Sequence, residues 1–264
     1  MDKIFILKLL LSFVVGSLWI TMGTVLAEKY GTKIGGLVAG LPSTILISLF
    51  FIAWTQSTHV AVDTTTIVPI IGAVNCLFII TYIALLRINF WIALGGAFIV
   101  WFLLSLGIVV SGFNSFLISL ISYVCLVFVS HFVVEKGLKV KSESGKQIHY
   151  SSALIVFRAL FSGLVIVLAV VVTKVGGPLL GGMFVMFPAM FVGMIFMTYY
   201  SQGAVFSAAV MKSSILGAIS VVIYGIVVRY TYIPLGLIGG TASSILVSLA
   251  SSYLIHGYIA RRTT

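Results

Sequence analysis

Continuous apolar segments separated by short polar connections run through the whole chain. A helix needs about 20 apolar residues to cross the hydrocarbon of a bilayer, where every backbone polar group must find a partner within a helix or a closed barrel. Because the runs are continuous and do not alternate, they predict helices. We expect nine, at 4–26, 34–55, 65–86, 90–110, 114–134, 152–173, 176–199, 205–228 and 233–256.

Two of these segments leave alternatives open. The run 4–26 could be a secretory signal, but it is longer than a typical signal core and precedes only a weak cleavage site, so we interpret it as a mature helix. Within 87–134, two runs are separated only by residues 111–114, and one of them could be a re-entrant hairpin. The loss of a span there would change the relation between the two halves of the chain.

A spacing of glycine, proline and glutamine occurs twice. Gly35-Gly36, Pro42 and Gln56 correspond to Gly181-Gly182, Pro188 and Gln202, and the agreement continues from Gly72-Ala73 and Tyr82…Arg87 to Gly217-Ala218 and Tyr224…Arg229. The pattern indicates one membrane unit used twice.

The nine predicted helices divide as four, one and four. Residues 1–112 form the first repeat, 113–150 a linker helix with a basic segment, and 151–264 the second repeat. Because four helices return the chain to its starting side, the extra helix inverts the second unit. The expected fold is all-α, with two inverted four-helix repeats related by a pseudo-two-fold axis in the membrane plane.

Composition and charge support a membrane location. Hydrophobic residues make up 61% of the chain and charged residues 8%, against about 25% charged in soluble domains. The net charge of +10 comes from basic residues flanking the helices, which is typical of membrane topology and of contact with anionic lipid headgroups, and nothing resembles a nucleic-acid module. We expect the plasma membrane of a prokaryote, with the N-terminus outside and the C-terminus in the cytoplasm.

The duplicated breaks are the first candidate site. Proline removes a backbone donor, and such openings persist at membrane depth only inside protein or beside a wet cavity. We expect the second and seventh helices to meet there and bind a substrate, through Gly35, Gly36, Pro42, Gly181, Gly182 and Pro188. The alternative is that these residues only aid close packing and bending.

Charged and polar residues within the spans extend this site. The five carboxylates lie at predicted ends or in loops, whereas Arg158 and Lys212 lie inside spans, an imbalance that favours an anionic substrate. Both are also close enough to an end to reach the interface. Asn75, which nearly matches Ser220 of the second repeat, is the further candidate, although isolated polar residues often serve helix packing.

No pattern predicts an enzyme, a catalytic residue, a metal site or a cofactor. In the last predicted helix, small residues recur at helical spacing and indicate packing within the fold or between the copies of a homodimer. They are Thr241, Ser244, Ser248 and Ser252.

The repeated unit resembles the small GlpM-like four-helix membrane proteins. The residues that carry the likeness are Gly36, Gly40, Pro42 and Gly72-Ala73, with Gly182, Pro188 and Gly217-Ala218 in the second copy. The four-one-four plan is similar in organisation to fused inverted-repeat transporters and channels, such as the drug/metabolite transporters and the two-domain fluoride exporters. The chain lacks the membrane glutamate expected of small multidrug pumps.

Together these features favour a secondary transporter or facilitator for a small organic anion or a phosphate-bearing lipid. The alternative is a non-transporting scaffold or lipid-binding accessory protein, whose basic loops bind anionic headgroups. A channel is a third reading, although no dense ring of charge or filter sequence indicates one.

Overall fold

The computed structural model describes residues 3–29, 42–138, 140 and 151–263. Within these ranges the chain is helical apart from short connections, and no strand occurs in them. The helices are α1 Lys3–Lys29, α2 Ser43–Thr55, α3 Thr58–Thr64, α4 Val68–Leu85, α5 Phe90–Val110, α6 Phe116–Phe132, α7 Ser152–Val185, α8 Ala189–Gly217 and α9 Ile219–Thr263. A 3₁₀ turn, Thr65–Ile67, joins α3 to α4, and a π turn, Val133–Gly137, extends α6.

Among these residues, five continuous helical stretches are long and apolar enough to cross a membrane. They are Lys3–Gly23, Thr58–Leu85, Phe90–Val110, Phe116–Gly137 and the long series Ser152–Ile255, and the shorter apolar helix Ser43–Thr55 accompanies them. The prediction of an all-helical chain with several apolar helices of membrane-spanning length is confirmed. Of the expected helix 34–55, the part before residue 42 lies outside the described residues.

Short polar side chains set several helix starts. The Asn89 side chain accepts a hydrogen bond from the backbone N–H of Trp91 at 2.8 Å before α5, and Ser57 accepts one from Val60 at 3.2 Å before α3. Such caps satisfy N–H groups that have no acceptor within the helix. The polar connections seen in the sequence therefore also fix where the apolar helices begin.

The long series after residue 151 contains three sharp breaks at glycines with positive φ. Gly177, Gly203 and Gly236 have φ values of 84°, 85° and 68°, a region that residues with a Cβ rarely adopt. The breaks lie within a few residues of the three boundaries predicted between 152 and 256. A further interruption, at 186–188, divides α7 from α8 inside the predicted span 176–199.

The chain folds back on itself at each of these three glycines. Across Gly203, the hydroxyl oxygens of Thr198 and Ser207 lie 3.0 Å apart, and across Gly236 those of Tyr232 and Thr241 also lie 3.0 Å apart. Across Gly177, the hydroxyl of Thr173 lies against Gly181 so closely that a side chain at Gly181 would collide with it. Each break is therefore the tip of a helical hairpin.

Helices α1 and α7 pack against each other in opposite directions. The ammonium of Lys174 lies 3.6 Å from the ring centre of Phe5, whereas Ser17, farther along α1, donates a hydrogen bond to the carbonyl of Ala159 at 3.1 Å. Later residues of α1 thus contact earlier residues of α7. The two helices are antiparallel.

The same relation holds between the segment 58–85 and the start of α9. Arg229 donates to the Thr66 hydroxyl at 3.1 Å, while Gly72 lies so near Val222 that a Cβ on the glycine would be 2.9 Å from its Cγ2. Later residues of the first helix again contact earlier residues of the second. These helices are also antiparallel.

The continuous segment Thr58–Leu85 forms the centre of the fold. In an apolar stretch of 18 residues within this segment, 72% is buried. In the corresponding stretches of α1, α5 and α6 with its π turn, 22%, 28% and 28% is buried. The outer helices expose large apolar side chains, among them Leu103, Val110, Leu117 and Phe128. A surface of this kind suits hydrocarbon, so the structure is compatible with an integral membrane protein.

The small-residue stripe of α9 faces the interior of the same chain. Ser244 and Ser248 are fully buried, and Ser248 donates a hydrogen bond to the carbonyl of Ser220 at 2.8 Å. Of the two interpretations of the stripe, these contacts match packing within the fold. Small hydroxyl side chains allow helices to approach closely and bond across the contact.

A test of close packing is the replacement of Gly182 by alanine. An added Cβ would lie 2.5 Å from the Thr64 carbonyl oxygen and 2.8 Å from Cγ1 of Ile67, so Gly182→Ala should destabilise the fold by about 1–3 kcal/mol. Gly217→Ala is the matched control, because nothing lies within 4 Å of that position and alanine favours a helix over glycine. The measurement is thermal unfolding in detergent. A melting temperature for Gly182→Ala at or above that of Gly217→Ala would contradict the packing described.

Candidate functional site at two helix starts

Two helices begin at prolines and have equivalent geometry. Pro42 precedes α2 with φ −75° and Pro188 precedes α8 with φ −73°, and neither start has a side-chain cap. The first helical hydrogen bonds run from Leu46 N–H to Pro42 O at 2.8 Å and from Val192 N–H to Pro188 O at 2.9 Å. The N–H groups of each first turn have no acceptor within their helix, although that of Ala189 donates to the Phe187 carbonyl just before α8 at 2.7 Å.

Both starts open on the same cavity. It has a volume of about 40 Å³, enough for only a few water-sized groups, since one needs roughly 10–15 Å³ on the same measure. The described residues that line it come from α2, α4, the end of α7, α8 and α9: Pro42, Ser43, Thr44, Ile45, Gly72, Asn75, Val185, Met186, Phe187, Pro188, Met190, Phe191, Ala218, Val221 and Val222. The structure thus brings together three of the predicted site residues, Pro42, Pro188 and Asn75.

Asn75 is the polar centre of this cavity. The side chain is 5% exposed, and its Nδ2 donates to the carbonyl of Met186 at 2.9 Å. Because a carbonyl can only accept, the atom facing it must be the amide nitrogen. The other side-chain atom, Oδ1, is buried without a hydrogen-bond partner. Buried polar atoms are rarely left in this state, and this one belongs to a residue that lines the cavity.

The electrostatics of the cavity come from the backbone. Among the described lining residues none carries a charge, but a helix start bears the equivalent of about +0.5 elementary charge. Two such starts meet here, and backbone N–H groups at a helix start bind anions. The arrangement offers donors to an anion from two sides, with Asn75 supplying one acceptor for a hydroxyl or protonated group.

Arg158 and Lys212 lie away from the lining residues. The aliphatic part of Arg158 covers Gly193, where an added Cβ would be 3.0 Å from Arg158 Cγ, and its Nη1 lies 3.7 Å from the Met197 sulfur. Lys212 donates to the carbonyl of Val140 at 2.9 Å. Lys212 thus ties α8 to the segment after α6, and in this conformation neither side chain lines the cavity.

The glycines of the predicted site fall into two groups. Gly181 and Gly182 lie in close contacts, against Thr173 and against Thr64 and Ile67 respectively, and they are not among the lining residues. Gly35 and Gly36 lie outside the described residues. The contacts of Gly181 and Gly182 match the packing alternative that the sequence left open.

Sequence reasoning missed the Met186 carbonyl and the Phe187 ring. The carbonyl has no signal in the sequence, because any residue supplies one. The ring had a weak signal, since Phe184, Phe187 and Phe191 follow one another at helical spacing around Pro188. Only the break in the backbone directs Met186 and Phe187 to the cavity.

The bond between Asn75 and Met186 gives a prediction of stability. Asn75→Ala should lower the free energy of unfolding by about 1 kcal/mol, because the Met186 carbonyl loses its partner in a buried position. Asn114→Ala, the same change at an exposed loop position, should have no effect. Thermal unfolding in detergent measures both, and an equal melting temperature for the two variants would rule out the bond.

Comparison with known proteins gives one family. The model of a family described as "Protein of unknown function (DUF3147)" matches residues 9–114, less than half of the chain. No curated protein and no solved structure matches.

Proposed function

We propose that the chain is an inverted-repeat membrane protein with nine transmembrane helices. Two observations support this layout. The equivalent segments 3–29 and 152–176 pack antiparallel, as do 58–85 and 204–235, which is the relation that a two-fold axis in the membrane plane produces. In addition, the break after Gln56 corresponds to the break at Gly203, one residue after Gln202. The family match, 9–114, has nearly the extent of one predicted repeat.

The proposed orientation places the N-terminus outside and the C-terminus in the cytoplasm of a prokaryotic cell. Hydrogen bonds near the ends of helices show which helix ends lie on the same side of the bundle. Arg87 donates to the Leu138 carbonyl at 3.0 Å on the proposed inner side, and Lys212 binds Val140 beside it. The basic residues that come next in the sequence would then belong to a cytoplasmic connection, where an excess of Lys and Arg is expected.

The proposed function is secondary transport or facilitated passage of a substrate with an anionic group. One observation carries it: two uncapped helix starts and the unpartnered oxygen of Asn75 meet at one cavity between the two halves of a fold suited to a bilayer. Broken helices that aim their positive ends at an anionic group are how several secondary transporters hold substrates. Rocking of one half against the other would expose the cavity to each side in turn.

The proposed layout gives a labelling prediction. In a chain with Cys76 and Cys125 replaced by serine, single cysteines at His59 and Asn114 should react with a membrane-impermeant reagent from outside. A cysteine at Ser201 should react only after the membrane is opened. All three positions are exposed, so access to the reagent depends on the side of the membrane. Labelling of His59→Cys and Ser201→Cys from the same side would exclude the inverted layout.

Uptake into proteoliposomes tests the anion site. With a panel of small carboxylates and inorganic phosphate as substrates, Asn75→Asp should lower uptake at least about tenfold. This corresponds to a loss of about 1.4 kcal/mol in the free energy of substrate binding. The reason is that the isosteric carboxylate occupies the positive helix ends and repels the substrate. Asn114→Asp is the matched control and should transport normally.

A second pair of variants tests the helix starts themselves. Pro188→Ala should reduce uptake because α8 can then extend toward α7, whereas Pro69→Ala, at the first turn of α4, should not. Unchanged uptake in both Asn75→Asp and Pro188→Ala would remove the cavity as the transport site. Absence of uptake by the unaltered protein with every anion would favour the scaffold alternative.

A further inference from the structure

Phe187 borders two separate spaces. The first is the central cavity, and the second is an apolar groove of about 360 Å³ on the outer side of α5. The groove is lined by Phe98, Ile99, Trp101, Phe102, Leu103 and Phe187. Ile99, Phe102 and Leu103 are exposed at the surface that suits hydrocarbon. The half-buried residue Phe187 is therefore common to the linings of the cavity and of the outer groove.

The ring of Phe187 packs against the hydrophobic core and contacts several other aromatic rings. Its centre lies 5.0 Å from that of Trp101, edge to face, and 5.8 Å from that of Phe98. Such contacts are each worth little and are not tied to one rotamer by a hydrogen bond. Turning the ring would join the groove to the cavity without breaking a polar interaction of that side chain.

Trp101 lines the groove and lies against the ring of Phe187. The side chain is 1% exposed, yet its indole Nε1 has no acceptor. A buried indole N–H normally finds a hydrogen-bond partner. The N–H is enclosed in this conformation, so an oxygen of an occupant could reach it only after a neighbouring ring has turned.

The cavity and the groove differ in size, and the difference limits which part of a ligand each can hold. At about 40 Å³, the cavity holds only a few heavy atoms in this conformation, so it accommodates an anionic head and little more. The groove, at about 360 Å³, lies directly beyond Phe187, falls in the size range of ligand pockets and is apolar. An acyl or alkyl chain is the chemistry that it fits.

We propose that the substrate is an amphipathic anion that enters sideways from the bilayer, with Phe187 as the gate. Its head lies at the starts of α2 and α8, and its apolar chain passes Phe187 and lies in the groove beside Trp101. This inference rests on the proposed function and adds the substrate class and the route. It selects the lipid-like source of an anionic group over the free, water-borne one.

Fluorescence of Trp101 tests the proposal directly. In a chain in which Trp19, Trp54 and Trp91 are replaced by phenylalanine, in nanodiscs, a long-chain alkyl phosphate brominated on its chain should quench Trp101 in a saturable way. Half-saturation should come at a concentration at least about tenfold lower than for phosphatidylcholine brominated at the same depth, which is one decade in Kd. The unbrominated alkyl phosphate should reverse the quenching, and inorganic phosphate should not.

Variants separate the head site from the gate. Asn75→Asp should weaken the saturable quenching about tenfold. Phe187→Ala should strengthen it about threefold or more, because the ring no longer has to turn before the substrate binds. Phe184→Ala is the matched control: this ring stacks on Phe187 at 6.4 Å but lines neither space, and its loss should leave the affinity unchanged.

Each contrary result has a distinct meaning. Equal quenching by the brominated phosphatidylcholine would show that the groove is only bathed by lipid and would overturn the proposal. Competition by inorganic phosphate as strong as that of the long-chain compound would overturn it while leaving the anion site of the proposed function in place. If no anion of any chain length changes either Trp101 fluorescence or uptake, both proposals fail. Equal affinity in Phe187→Ala and the unaltered chain would overturn the role of the ring as a gate.

Discussion

The hydrogen bond between Asn75 and the Met186 carbonyl joins the central segment 58–85 to the interruption between α7 and α8. In hydrocarbon, a backbone group without a partner costs several kcal/mol. A helix can therefore be interrupted there only where another part of the protein forms hydrogen bonds with its free backbone groups. Asn75 donates one such bond, to the Met186 carbonyl at 2.9 Å. The cavity, the two helix starts and the position of Phe187 all depend on this interruption being tolerated.

The same constraint explains where the charged residues lie. Arg87 donates to the Leu138 carbonyl and Lys212 to the Val140 carbonyl, while Arg229 donates to the Val62 carbonyl at 3.3 Å. These are carbonyls at or near the ends of helical segments, where no intrahelical donor remains and where a cation is favoured by the helix dipole. Under the proposed function, the positive charge at the cavity comes from backbone N–H groups. A site built in this way would bind an anion without burying an ionised side chain, which is costly.

Glycines allow the helices to pack closely at the centre of the fold, whereas aromatic rings surround the cavity near Phe187. Gly163 and Gly182 bring helices so near that a Cβ would collide with a neighbour. Around Phe187 the contacts are between rings, without hydrogen bonds. In densely packed interiors a movement is concentrated where the packing has alternative arrangements. The proposed gate would place such a movement at the junction of groove and cavity, away from the glycine contacts.

The sequence by itself determined the helical class and the positions of most helices, because apolar run length acts locally. It also singled out Pro42, Pro188 and Asn75, which the structure places at one cavity. It also anticipated the turns near 177, 203 and 236 to within a few residues. Only the tertiary structure decided which residues share the cavity, since that depends on contacts between segments more than 100 positions apart, such as Asn75 with Met186. Arg158, Lys212, Gly181 and Gly182 stay predicted site residues that do not line the cavity in this structure. Nothing in the sequence indicated Trp101 and Phe187 as neighbours, because an aromatic residue in an apolar run carries no mark of the cavity that it will border.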